Sequence, residues 1–280
     1  LQHANDTAYK VVKLLANPSS ILPFTEGFES AAAAEYTTNT IGLEGLDDAD
    51  FYTNTLSGRA RTFVNTGFAH SGNKAITLDQ TPKIGSPSSW ILLVRLNFSN
   101  YSTASNQLRV DFFYKNNGQD DLPSNKAWVR GSDADAWLPA YDLYANQADL
   151  GQYKGAKAVN INDIFSAAVP QQNVSSSFQI KFGEQGYTSA NSPFPQPDND
   201  DGYTFDDIKI SEALNDIGIT QVVSPLQSGC GLTATTPITI KIKNYNNTTF
   251  NNIQVSYKIN NGTTVTQIIP ILNPKELLTF

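Results

Sequence analysis

Leu108-Arg109-Val110-Asp111-Phe112-Phe113-Tyr114 decides the fold class. Positions 108, 110, 112 and 114 are apolar or aromatic and share one face of an extended chain, while Arg109 and Asp111 point the other way. A helix would scatter these side chains around its axis; a strand with one buried face collects them. Short apolar or alternating runs recur at 74–78, 90–96, 127–130, 177–182 and 205–210. Between them stand turn formers, among them Ser71-Gly72-Asn73, Gly85-Ser86-Pro87, Asn116-Asn117-Gly118 and Asp121-Leu122-Pro123. Gly, Asn and Pro supply the backbone angles that reverse a chain, so residues 24–210 are expected to form many antiparallel strands packed as a sandwich.

Composition agrees. The 280 residues correspond to about two domains of roughly 150. Charged residues make up only 16%, aromatics reach 11%, and there are 18 Gly and 14 Pro, which disfavours long solvated helices. Nineteen basic against 26 acidic side chains leave a formal charge of −7, the wrong sign for binding nucleic acid or inserting at an anionic membrane surface. No run approaches the ~18 apolar residues of a membrane span, and the N-terminus lacks a signal peptide's basic-then-apolar order. The chain has no methionine, so it is expected to be a processed or excised piece. Few Lys and Glu with abundant Asn, Thr, Ser and Tyr resembles secreted surface proteins.

Residues 1–20 carry Ala8, Val11, Val12 and Leu15, a helical stripe behind an Asp6 or Thr7 cap; the same β-branched pair fits the terminal strand of a preceding module, the reading favoured here. Beyond residue 212 a second unit begins. Ile238, Ile240 and Ile242 alternate with polar residues, as do Ile253, Val255, Tyr257 and Ile259, and Asn260-Asn261-Gly262 turns the chain into 263–269 as a hairpin. Residues 213–280 provide about five strands, fewer than the seven of an immunoglobulin-like sandwich, so this unit is expected to be truncated at its C-terminus. The single Cys230 excludes an internal disulfide. Its readings, in order, are a thiol paired beyond residue 280, a buried small side chain, and a reactive thiol.

Three stretches carry a resemblance: Phe24-Thr25-Glu26-Gly27-Phe28-Glu29, the run from His70-Ser71-Gly72-Asn73 to Asp79, and Phe205-Asp206-Asp207-Ile208-Lys209-Ile210. In order and spacing they resemble the opening, middle and closing of MAM-like and cleaved-adhesin jelly rolls, over roughly residues 21–212. Residues 213–280, with Ser228-Gly229-Cys230-Gly231-Leu232, look like the start of a bacterial adhesion-type Ig-like module. Such modules belong to large cell-surface proteins exported by the type IX secretion route. The resemblance implies an all-β chain: a jelly-roll sandwich, then a partial Ig-like sandwich, acting as an adhesion or spacer module on a bacterial surface. Its partners would be surface proteins, glycans or neighbouring modules of the same parent chain. It also implies a structural calcium, because acids distant in sequence converge where first and last strands meet, and hard Ca²⁺ accepts six to eight oxygens. Glu29 and Asp206 are the best positional matches, Asp207 is second choice, and backbone oxygens near Ser71 or Asn73 would complete the shell. Asp206 shares parity with Ile208 and Ile210, which points it inward. The bland alternative is acids capping strand ends in water.

Other chemistry is weaker. Two histidines, His3 and His70, and no G-x-S-x-G turn or H-E-x-x-H helix disfavour a serine or zinc hydrolase. Asp198, Asp200 and Asp201 fail the spacing of a calcium-binding helical loop, and Glu44, Asp47, Asp48 and Asp50 read as a solvated cluster. The functional competitor is carbohydrate binding, as a lectin-like module or an accessory region of a large secreted hydrolase, with Trp and Tyr rings facing sugars. Trp137, Tyr187 and Tyr203 are its candidates. Trp128, inside an alternating strand, and Trp90 read as core.

Overall fold

The computed structural model describes residues 17–53, 58–64, 68–80, 88–117, 125–146, 151–186, 202–213, 217–225, 236–246, 248–259 and 262–280. The tail at 1–16, the Asp198–Asp201 loop, Cys230 and Tyr187 therefore lie outside the described residues. The elements are β1 (Phe24–Glu26), β2 (Ala34–Tyr36), β3 (Ala49–Thr53), β4 (Gly58–Val64), β5 (Lys74–Gln80), β6 (Ser88–Leu96), β7 (Leu108–Asn116), β8 (Lys126–Arg130), β9 (Leu138–Asp142) and β10 (Tyr153–Asn160). There follow α1 (Ile161–Ala167), β11 (Phe178–Gly186), β12 (Tyr203–Glu212), β13 (Ile217–Ser224), β14 (Thr239–Asn244), β15 (Phe250–Tyr257), β16 (Val265–Leu272) and β17 (Leu277–Thr279).

Among the described residues the protein is all-β apart from α1, and β1–β12 form a jelly-roll sandwich of two antiparallel layers. One layer runs β10-β7-β12-β5-β4-β2 with β1 also paired to β12; the other runs β3-β6-β11-β8-β9. The 108–114 run forms β7, where Leu108, Val110, Phe112 and Tyr114 are buried. Its aromatic side chains meet those of both layers: Phe112 packs edge-on against Phe182 of β11 at 5.0 Å between ring centroids, and Phe182 lies 5.0 Å from Phe205 of β12. Burial of these large rings drives closure of the two layers. The helix α1 was not anticipated. Asn160 caps it, accepting from the Asp163 N–H at 3.1 Å, and Ile161 and Phe165, one turn apart, bury their side chains in the sandwich core.

The C-terminal strands form two further sheets, β13-β14-β17 and β15-β16. Five strands were expected here and five are seen among the described residues. Their shared core is small: Ile242, Ile269 and Leu272 are buried, flanked by Ile217, Ile253, Val255, Leu278 and Phe280. The β15–β16 pairing, ending at Tyr257↔Val265, fits the expected hairpin. Ile259 lies past that last pair and is exposed, not half-buried. These strands touch the sandwich through Lys275, whose Nζ donates to Gln107 Oε1 at 3.0 Å and lies 3.7 Å from Asp163. No helix among the described residues is long and apolar enough to cross a membrane.

Candidate functional site

Two regions gather polar chemistry on the sandwich, one on each outer face. The first is where the chain closes on itself. Strand β1 pairs with β12 in the register Phe24↔Ile210, Thr25↔Lys209, Glu26↔Ile208, so the first and last strands of the sandwich are neighbours. The segment 68–74 lies over this seam. Asp206 is fully buried; its Oδ2 accepts from the backbone N–H groups of His70 (2.7 Å) and Ser71 (3.1 Å), and its Oδ1 from Asp207 N–H (2.7 Å). Asp207 accepts from the Ser71 hydroxyl at 2.6 Å and pairs with His70 Nδ1 at 2.6 Å. The His70 ring stacks on Phe113 with centroids 3.5 Å apart. Glu29 Oε1 accepts from the backbone N–H groups of Asn73 (2.7 Å) and Lys74 (3.0 Å). Gly72, at φ +64, allows this clasp, because a Cβ there would overlap the Glu29 carboxylate.

All five residues expected to serve a metal thus meet at one turn. Ser71 and Asn73 present N–H groups to the carboxylates there. Among the described residues no group of three or more His, Cys, Asp or Glu is arranged to hold a metal. The parity argument for Asp206 also fails. Phe205 sits opposite Tyr114 on the core side and Asp206 opposite Phe113 on the outer side; a register shift between Asp206 and Lys209 then returns Ile208 and Ile210 to the core. Asp207 occupies this bulge with φ 49. Asp206 is buried because the 68–74 segment covers it, not because it faces inward.

Sequence reasoning missed Glu26 as a functional candidate. Its carboxylate is desolvated and accepts from Phe28 N–H at 2.5 Å. Burial raises its pKa, the Phe28 bond opposes this, and the charges of Asp48 and Asp206 add to the rise. Burial likewise pushes Asp206 up to about 6, against the lowering effect of its backbone N–H bonds. The only signal for Glu26 in the sequence was its place within the quoted opening stretch. Asp50, read as solvated, is buried: it accepts from Arg95 Nη2 at 2.7 Å and from Gly42 N–H at 2.9 Å.

The second region is the outer face of the β3-β6-β11-β8-β9 layer. On β8, Ala127 and Val129 face the core, so Trp128 faces outward, half-buried. Trp128 was read as core; alternation was right but its phase was reversed, since the small Ala127 takes the inward position. Trp128 sits opposite Lys181 of β11, and its ring lies across Gly183, where a Cβ would come 2.8 Å from Cζ3. Lys181 Nζ is 4.8 Å from the Trp128 ring centre and 4.4 Å from that of Trp137. The Arg130 guanidinium is also 4.4 Å from the Trp137 ring centre. A short loop before β9 presents Trp137, and Gln172 braces both ends of it, accepting from Gly131 N–H (3.0 Å) and donating to Ala136 C=O (2.8 Å).

Of the aromatic candidates, Trp137 is thus near the surface, whereas Tyr203 is fully buried beside Tyr114 and Phe205 and presents no ring to a ligand. Trp90 is core, as expected. Four cations punctuate this face. Arg95 pairs with Asp50, and Lys126 with Asp142 at 2.5 Å. Arg130 bonds the Gln179 side-chain oxygen (2.8 Å) and the Asp135 carbonyl (3.4 Å), and Lys181 rests over the indoles; neither pairs with a carboxylate among the described residues.

No protein-family model matches the sequence, nor does any curated protein. Solved structures similar to it include the K2 cleaved adhesin domain of Lys-gingipain, at 11% identity over 67% of this chain and 98% of that one, with a TM-score of 0.38. The module TmCBM61 in complex with beta-1,4-galactotriose matches at 10% identity over 67% and 94%, TM-score 0.35. The CBM22-1 xylan-binding domain of Paenibacillus barcinonensis Xyn10C matches at 10% over 68% and 92%, TM-score 0.34.

Proposed function

We propose that the chain is a noncatalytic binding module of a secreted or surface-displayed bacterial protein, which holds glycans through the outer face of the β3-β6-β11-β8-β9 layer. The observation that carries this reading is the group Trp128, Trp137, Lys181 and Arg130. Two indoles braced on a rigid sheet offer apolar faces to sugar C–H groups, and the cations beside them supply donors for oxygens. The seam between β1 and β12 favours structure over catalysis. The Ser71 hydroxyl and the His70 imidazole both bond the Asp207 carboxylate and not one another, so His70 is not set to draw a proton from Ser71. Glycan-array binding is expected for the intact chain and should vanish in Trp128→Ala and Trp137→Ala while both variants still melt cooperatively. Retained binding in both would overturn the assignment of this face.

At the seam, Glu26 and Asp206 support a structural calcium better than Glu29 does, because both are desolvated whereas Glu29 is exposed. Two acids whose burial disfavours their charge are relieved by a hard cation, with backbone carbonyls completing its shell. Bound there, calcium would staple the first strand to the last, where tension along the chain enters the module. Millimolar calcium added after chelation is expected to raise the melting temperature of the parent chain but not of Glu26→Gln; an unchanged parent would refute the staple. Contacts such as Lys275 with Gln107 support engagement of the sandwich by the next module of the chain, for which the Ig-like architecture is our reading.

A further inference from the structure

We infer that the ligand of the indole face is an anionic sugar chain, recognised by stacking on Trp128 and Trp137 and by ion pairing of a uronate carboxylate or sulfate ester with Lys181 and Arg130. This inference rests on the glycan-binding reading above. Its own evidence is how charge is distributed over one sheet face. Arg95 and Lys126 are each matched with an aspartate, whereas Lys181 and Arg130, beside the indoles, pair with no carboxylate among the described residues. A chain with 26 acidic and 19 basic side chains has ample acid to neutralise them. Two neighbouring cations also repel: Arg130 and, first of all, desolvation lower the pKa of Lys181. An anion placed between them removes the repulsion, and a neutral sugar does not. The alternatives fit less well. A neutral glycan uses the indoles but leaves the cations unmatched; an acidic peptide uses the cations but has no rigid apolar face to lay on two indoles.

The test is calorimetric titration of the full chain with oligogalacturonate, its methyl ester, chondroitin sulfate, neutral galactan oligosaccharides and poly-glutamate. Binding of oligogalacturonate or chondroitin sulfate is expected, weakened by salt, with the methyl ester at least about tenfold weaker, the equivalent of one charge-assisted hydrogen bond. Oligogalacturonate binding identifies the carboxylate; chondroitin sulfate bears both uronate and sulfate, so loss of its binding on desulfation identifies the sulfate. Lys181→Gln should lose about tenfold and Lys181→Arg should retain affinity; Arg130→Gln gives a second, independent reading should either variant misfold. Equal binding of the ester and acid, or of neutral galactan and the acidic chains, would overturn the anionic assignment while leaving glycan binding in place. Poly-glutamate binding as tight as the acidic sugars would replace the sugar by a peptide. No glycan binding of any kind would remove both readings.

Discussion

The β1–β12 seam and the indole group of the opposite layer treat charge differently. Over the β1–β12 seam the anions are tied down by donors: Asp206, fully buried, receives three backbone N–H groups, the exposed Glu29 two, and the half-buried Asp207 an imidazole and a hydroxyl. On the opposite layer, Lys181 and Arg130 remain half-exposed beside two indoles with no carboxylate partner among the described residues. Burying a charge is tolerable only when its hydrogen bonds are complete, so the first arrangement holds the fold together. A cation left accessible, without a carboxylate, contributes less to stability and can serve a ligand. Under the glycan-binding proposal, the contrast places stability on one face and recognition on the other.

The largest expected effect breaks this contrast directly. Asp206→Ala strips the acceptor from the N–H groups of His70, Ser71 and Asp207 beneath the 68–74 segment, and should destabilise the sandwich by about 3 kcal/mol or more. Lys181→Ala, on the other face, should change stability by less than about 1 kcal/mol. Urea unfolding of both variants measures the difference. Similar losses would mean that the cations of the recognition face are structural after all.

How far the sequence reveals this division depends on how local the signal is. The strands were legible because alternation is local: β7 follows the 108–114 run, and β5, β8 and β12 follow 74–78, 127–130 and 205–210 closely. The seam was legible as a juxtaposition, because a sandwich of this order brings its ends together. Orientation was not. One extra residue at Asp207 reverses parity, so the inward reading of Asp206 failed although its burial was correctly anticipated. On β8 the runs Ala127-Trp128-Val129 and Trp128-Val129-Arg130 alternate equally well in either phase, and only the partner layer selects Ala127 and Val129 for the core. Tyr203 carried no mark separating a core tyrosine from one offered to a ligand. Glu26 and Gln172 act through contacts with distant segments, which no local pattern encodes. The helix α1 escaped because its seven residues are too few to build a visible period.

A smaller effect than that of Asp206→Ala sharpens the comparison most cleanly, because it uses the same substitution on both faces. Gly183 of β11 lets the Trp128 ring lie flat on the sheet; alanine would place a methyl group 2.8 Å from Cζ3 and 3.3 Å from Cη2 of a rigid ring. The indole must lift, which should cost about 1–2 kcal/mol in stability and weaken glycan binding by about tenfold, because the stacking plane moves away from Lys181. Gly155 of β10 is the matched control on the other layer, opposite Phe113. A methyl group there meets the end of Lys157 first, at 2.8 Å from Cε, and a flexible chain can swing aside. Gly155→Ala should therefore leave glycan affinity unchanged. Calorimetry on both variants discriminates: if Gly183→Ala binds as well as the parent, the flat seating of Trp128 is not what the ligand reads, and recognition shifts to Trp137 with its two cations.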